Sequence, residues 1–338
     1  MCLMGALAGV ILLSSGCIAH KEDSQHQLQQ IAKSYAFNFV SWELHALSSL
    51  PKEILRKESE ANQETKLCNQ IKTVLADNGI SAFPPVTFRL EKPPHLLVVS
   101  PREEIVYLDR MVLRQEFSVA EMERLEAQIE ELGLSSLVVG LGGFGATYPP
   151  IISDHLNLTD TVNTAVEEWL HQYLAFRPLG FLYLLDSVGI RRNSEVIIMN
   201  ETLAGMVSQE ISSEVYARYY QGQEEVKVDR NALEFNFDAE MRETRKTVDS
   251  YLSQGKIEEA EHYMEERRKE FVAHGYHIRK LNQAYFAFHG IYAQDPASVS
   301  PIYKDLKQLR AKSPSLKHFL DRVATMRSYA ELTEALQE

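Results

Sequence analysis

The spacing of apolar positions changes character twice along the chain, and the changes divide it. Residues 24–80 read as helical. Ile31, Tyr35, Phe37, Phe39, Val40 and Trp42 form a broken helical stripe, Pro51 separates a second helix, and that helix ends near Asn78-Gly79. Pro84-Pro85 marks a boundary. Beyond it, short apolar runs predict strands over Val86–Leu90, Leu96–Ser100 and Glu104–Arg114. Ser118 opens a helix, with Glu121 three residues on completing a capping box and Gly133 closing it. A strand over Leu134–Val139 then runs into the loop GLGGFGATYPP.

From that loop onward the pattern is helical. Thr159/Asp160 start a helix through Leu174, and Asn200 starts another through about Tyr220. After a polar stretch at 221–238, charged amphipathic helices fill 239–270 and 276–293, and a last segment follows Pro296 and Pro301. Strands first and helices after define an α+β fold: a small antiparallel or mixed sheet followed by a mainly helical part. The divisions fall at 1–19, 20–80, 81–150, 151–295 and 296–338.

The first division has its own signature. From Met1 to Ala19 there is no charged side chain. As a helix this run reaches about 28 Å, close to a bilayer core of about 30 Å. Its second half ends in Ser14-Ser15-Gly16 before Cys17, which resembles a bacterial lipoprotein signal with Cys17 as the lipidated residue. Its first residues lack the basic charge such signals usually carry, so an uncleaved anchor and a buried core helix are the other readings. As a signal or an anchor, it holds the rest of the chain at the cell envelope, outside the cytoplasm.

Composition narrows the function classes. With 338 residues, 45% hydrophobic and 24% charged, the chain can bury a sizeable core. Its net charge of −12 disfavours a nucleic-acid backbone or an anionic membrane surface as the main partner. The three cysteines, Cys2, Cys17 and Cys68, make neither a disulfide framework nor a zinc finger. Gly140, Gly142 and Gly145 satisfy the spacing of a dinucleotide fingerprint. Ala-Thr-Tyr-Pro-Pro follows, however, so no helix opens to face a phosphate, and no nucleotide is expected. The loop reads instead as a strand exit that lets another backbone approach, an extended substrate included. Gly142, Gly143, Phe144 and Tyr148 are the candidates for that contact.

The residues with chemistry cluster in TAVEEWLHQYL. Glu167 and His171 are i and i+4 on one helix, so they share a face, with Glu168 about 100° around. Asn200-Glu201 opens a later helix. Each feature has a plain structural account. Glu167 can pair with His171 on a solvated face, and Asn-Glu is an ordinary helix start. The strongly apolar flanks Val166, Trp169, Leu170, Tyr173 and Leu174 instead put these carboxylates in a mostly buried helix, where they need partners.

This pattern resembles the gluzincin metallopeptidases, in which one helix gives two metal ligands and a catalytic glutamate, and a later helix gives a third ligand. The resemblance implies Glu168 as general base, with His171 and Glu201 as ligands. Glu167 stands where that family has its first histidine. More widely, EEWLHQYL, NETLAG and RKLNQAYFAFHGIYA resemble uncharacterised bacterial lipoproteins related to predicted aminopeptidases, over roughly residues 80–295. The implied activity is metal-dependent hydrolysis of a peptide or protein substrate. Two carboxylates and one imidazole make a ligand set for zinc, or for manganese or iron given its harder oxygen donors.

Asn282, Tyr285, His289 and Tyr292 recur at spacings of 3, 4 and 3, a polar stripe on an otherwise apolar helix. Such peptidases place a Tyr or His to hydrogen-bond the oxyanion, and Tyr285 and His289 are the candidates. Structural hydrogen bonds to neighbouring helices are the other reading. Two further functions stay open. Glu168-x-x-His171 and Glu259-x-x-His262 could form a di-iron carboxylate site, and a metal-free peptidase fold could serve as a binding or scaffold lipoprotein.

Overall fold

A computed structural model describes residues 27–38, 63–187, 190–191, 193–221 and 235–338. The anchor or signal at 1–19 with Cys17, the stripe positions Phe39, Val40 and Trp42, Pro51, and most of the polar stretch at 221–238 lie outside the described residues. The fold is α+β.

A helical turn at 27–33 leads to α1 (Gln63–Asp77), which ends at Gly79 with φ +70°. Then come β1 (Arg89–Leu90), β2 (His95–Pro101), β3 (Asp109–Leu113), α2 (Val119–Glu130), β4 (Leu134–Gly140), β5 (Gly143–Phe144) and β6 (Ile151–Ile152). The helical part holds α3 (Leu158–Leu174), α4 (Pro178–Ser187), α5 (Ser194–Tyr219), α6 (Phe237–Ser253), α7 (Ile257–Ala273), α8 (Gln283–His289), α9 (Ile302–Lys312), α10 (Leu316–Ala324) and α11 (Tyr329–Ala335).

The strands form two small sheets. One is antiparallel, in the order β3-β2-β4. Its central strand, HLLVVSP, is a continuous apolar run because both faces are covered. Leu97 and Val99 pack on Leu125 and Ile129 of α2, while Val98 packs on Ala284 and Ala287 of α8. The other sheet is mixed, in the order β1-β6-β5, so β5 is its outer strand. The α2 capping box is formed as its sequence predicts: the Glu121 N–H donates to Ser118 Oγ, and the Ser118 N–H donates to Glu121.

The main core joins segments that are far apart in sequence. Leu67, Ile71 and Val74 of α1, Val166 and Leu170 of α3, Leu203 and Val207 of α5, and Phe319 and Leu320 of α10 belong to one cluster. Cys68 is buried in it. At the centre runs α5, a helix of 26 residues buried on several sides.

Two helix boundaries differ from the sequence expectation. α5 starts at Ser194, capped by Asn193, whose side chain accepts from the Val196 N–H. Asn200 and Glu201 are therefore not a helix start. They lie well inside the helix and are buried. The charged stretch 239–270 is two helices, broken where Gly255 takes φ +72°. Among the described residues, no helix is long and apolar enough to cross a membrane.

Candidate metal centre

The site is built where α3 and α5 lie side by side. The i, i+4 spacing puts Glu167 and His171 on the face of α3 turned toward α5, and Glu201 projects from α5 to meet them. One ligand atom from each lies within 4.8 Å of the other two, and this trio is the group among the described residues that could hold a metal ion. Glu201 is buried, and Glu167, Glu168 and His171 are half-buried.

His171 and Glu201 are fixed by partners. His171 Nδ1 lies 2.9 Å from Asn200 Oδ1, and its Nε2 lies 3.4 Å from Glu201 Oε2. The Tyr183 hydroxyl of α4 donates to the other oxygen, Glu201 Oε1, at 2.7 Å. The Tyr183 ring also stacks on the His171 imidazole, with centroids 5.6 Å apart and planes at 18°. Two ligands at about 2.0–2.1 Å from a tetrahedral ion stand about 3.4 Å apart. The His171–Glu201 pair already has that separation, and one imidazole with two carboxylates is a donor set for a hard or borderline divalent cation. The residues fit a metal.

The protons are distributed accordingly. Burial raises Glu167 to about 7, an effect that His171 reduces and Glu201 reinforces. Burial raises Glu168 to about 8, against the pull of His171 and of a hydrogen bond from the Gly145 backbone. For His171, burial opposes the charge, but Glu201, Glu168 and Glu167 outweigh it and the imidazole is raised. Burial likewise opposes the charge of Glu201, but His171 and Tyr183 hold it below the ordinary carboxylate range.

The glycine loop owes its composition to Glu168. A Cβ on Gly143 would fall 2.4 Å from Glu168 Oε1 and 2.5 Å from Thr164 Cγ2, and one on Gly145 would fall 2.5 Å from Glu168 Oε2. Only glycine lets β5 lie this close to α3. Gln172, one residue after His171, fastens the loop by donating to the Gly145 and Thr147 carbonyls at 3.0 and 2.8 Å. Phe144 is buried, Tyr148 is exposed, and Gly142 has open space where a side chain would be.

The polar stripe resolves differently from its spacing. His289 Nδ1 meets Asp295 Oδ2 at 3.0 Å, and the Tyr285 ring packs on His289 at 4.2 Å and on Phe286. Burial and then Asp295 raise Tyr285. Tyr292 is the member of the stripe that feels the metal-capable trio: burial, then Glu201 and Glu167, hold its hydroxyl well above the ordinary value. Tyr107 is likewise raised, by burial against Arg110 and with Glu201, and its hydroxyl is buried without a hydrogen-bond partner. The helix α8 ends at His289, so continuous helical spacing through Tyr292 was the wrong ruler.

Sequence reasoning singled out Glu167, Glu168, His171 and Glu201, named Tyr292 as part of the stripe but chose Tyr285 and His289 from it, and missed Asn200's contact, Tyr183, Gln172 and Tyr107. Gln172 carried a signal, being a polar residue beside His171 in an apolar helix. Tyr183 and Tyr107 carried none. The second E-x-x-H element, Glu259 and His262, is exposed on α7, where His262 pairs with Glu266, and it does not join the trio. Beside the site lies a cleft of about 920 Å³ lined by Tyr107, Arg110, Asp186, Arg191 and Phe286, among others. No protein-family model, curated protein or solved structure matches this chain.

Proposed function

We propose that the chain is a membrane-anchored, metal-dependent peptidase that hydrolyses peptide bonds at the Glu167–His171–Glu201 cluster. The observation that carries this reading is the approach of three ligand atoms from two helices to within 4.8 Å of one another, with a third acid, Glu168, next to them against a strand edge. A divalent cation bound there, zinc or else manganese or iron, would acidify water and polarise the scissile carbonyl. Glu167, His171 and Glu201 would hold it.

Glu168 is the general base. Positive charge bound at the trio would draw its raised carboxyl back to the ionised form. It then takes the proton of the attacking water and passes it to the leaving amine. Gly142, Gly143, Phe144 and Tyr148 line the outer strand and its loop, where an extended substrate adds by backbone pairing. Tyr292 and Tyr107, whose hydroxyls feel the acids of the cluster, would donate to the oxyanion, with Tyr285 and His289 acting through Asp295 and the packing of α8.

One observation favours a second reading, a metal-free binding or scaffold lipoprotein. Both oxygens of Glu201 already have partners in His171 and Tyr183, so this carboxylate is satisfied without an ion. Peptide hydrolysis separates the two. The peptidase reading expects activity that a chelator abolishes, that added metal restores, and that Glu168→Gln lowers at least a thousandfold. Activity surviving the chelator or the substitution would sink it.

A further inference from the structure

Three arginines line the cleft beside the site, and two of them are already paired. Arg191 Nε lies 4.0 Å from Asp186 Oδ1. Arg245 Nε donates to both oxygens of Asp249, at 3.0 and 2.9 Å, and its guanidinium also reaches the Ala297 carbonyl at 3.1 Å. Arg110 differs. Among the described residues its guanidinium makes no ion pair and donates no hydrogen bond, and its contact is with the Tyr107 ring, 6.0 Å from the centroid. The acids of the same wall are engaged elsewhere. Asp109 Oδ1 accepts from the Arg110 backbone N–H at 2.8 Å, and the Asp186 side chain is buried, with Oδ1 accepting from the Asn193 N–H at 3.0 Å.

The sheet aims this cation into the cleft. Arg110 stands opposite Val98 across the β2–β3 ladder, so both side chains leave the same face of the sheet. That face packs on Ala284 and Ala287 of α8, and Ala287 and Gly290 line the cleft together with Arg110. The cleft adjoins the metal-capable cluster. Burial opposes the charge of Glu201 and His171 and Tyr183 favour it, and the positive charge of Arg110 adds to their effect. Ile105, Ile197, Ile198, Ile291 and Val299 supply apolar wall between the polar groups. A volume of about 920 Å³ is that of a pocket for a small ligand, a short peptide included.

We propose that Arg110 is a specificity residue: its guanidinium binds a carboxylate of a short peptide lying in this cleft, with an apolar side chain of the peptide against Ile197, Ile291 and Val299. An arginine without a protein carboxylate presents paired, coplanar N–H donors that match a carboxylate in two parallel hydrogen bonds. The carboxylate is the peptide's C-terminus or an acidic side chain. The assignment rests on the peptidase reading for its substrate and deepens it. Arg110 and the cluster meet in one cleft, so the preferred scissile bond lies close to that carboxylate.

The test is calorimetric binding of N-acetyl-Ala-Ala-Leu-Leu to the full chain carrying Glu168→Gln, which spares the peptides. The peptide is offered as the free acid, as its C-terminal amide, and as the amide with glutamate in place of the second alanine. One carboxylate peptide is expected to bind about 10–100-fold tighter than the plain amide, the worth of hydrogen bonds to a charged group. Preference for the free acid assigns the C-terminus, and preference for the glutamyl amide assigns the side chain. Arg110→Gln, which keeps much of the stem, is expected to abolish the difference, and Arg110→Lys to keep part of it. A chain that does not discriminate, a preference that survives Arg110→Gln, or no binding of any of the three overturns the proposal. Cleavage of the same peptides by the chain with Glu168 intact, followed by mass spectrometry, separates the two readings. Discrimination without cleavage removes the peptidase and leaves the carboxylate subsite, whereas cleavage without discrimination removes the subsite and leaves the peptidase.

Discussion

His171 Nδ1 stands 2.9 Å from Oδ1 of Asn200, the residue immediately before Glu201. With the amide oxygen accepting, Nδ1 carries a proton, and Nε2, which is turned toward Glu201, would bind an ion once its own proton is displaced. One turn of α5 thus supplies one candidate ligand and the group that orients another. Asn200→Ala removes the orienting contact. The expected outcome is a metal affinity 10–100-fold weaker, of order that of lost outer-shell partners, and Asn200→Asp, which keeps an acceptor, recovers most of it. Competition against a chromophoric chelator measures both, and an unchanged affinity in Asn200→Ala would mean that Asn200 does not orient His171.

The glycine loop gives a graded series. Gly143→Ala and Gly145→Ala force a methyl group onto the Glu168 carboxylate, whereas Gly142→Ala has room. The first two should each cost about 1–3 kcal/mol of stability by overpacking and should lower kcat by displacing the base. Gly142→Ala should change neither by much. Urea unfolding and steady-state kinetics on the three variants check the order, and a Gly142→Ala as damaging as Gly143→Ala would contradict it.

A buried charge away from the site should contribute to the acid limit of stability. Glu126 of α2 accepts from both guanidinium nitrogens of Arg279 at 2.8 and 2.6 Å, from Lys280 at 3.3 Å and from the Val138 N–H at 2.6 Å. Burial alone would raise it, but Arg279, Lys280 and Val138 win and hold it below its ordinary value of 4.5. A carboxyl depressed in the folded state gives stability that is complete above 4.5 and is lost as pH falls through the folded value. Glu126→Gln should cost about 3 kcal/mol near neutrality, the low end for a broken buried pair because Arg279 and Lys280 keep some solvation. It should also flatten the acid limb by up to about one proton per chain. Denaturant midpoints between pH 3 and 7 would show this, and an unaltered acid limb would remove Glu126 from the account.

Much of this was legible in the sequence for physical reasons that are local. The i, i+4 spacing fixes Glu167 and His171 on one face wherever the helix goes, and the Ser118–Glu121 box is complete within four residues. Asn200-Glu201 misled because a favoured N-cap residue followed by an acid looks the same on paper inside a buried helix. Asn193, seven residues earlier, was the cap, and tertiary burial of α5 carried the helix onward. The glycines were legible as a close approach but not as one made to Glu168, since the contact joins β5 to α3 across more than twenty residues. Tyr183 bonds Glu201 from α4, and Tyr107 and Tyr292 feel the acids from two separate loops, which no spacing rule records.

Metal content is the most direct test of the central claim, that Glu167, His171 and Glu201 form a metal centre. The full chain, purified without chelator, is analysed by mass spectrometry for zinc, manganese and iron, beside His171→Ala and Glu201→Gln. The account predicts one divalent ion per wild-type chain and its loss from both variants, with the folded circular dichroism retained. A wild-type chain without metal after offering each ion, or an ion retained by both variants, would contradict it.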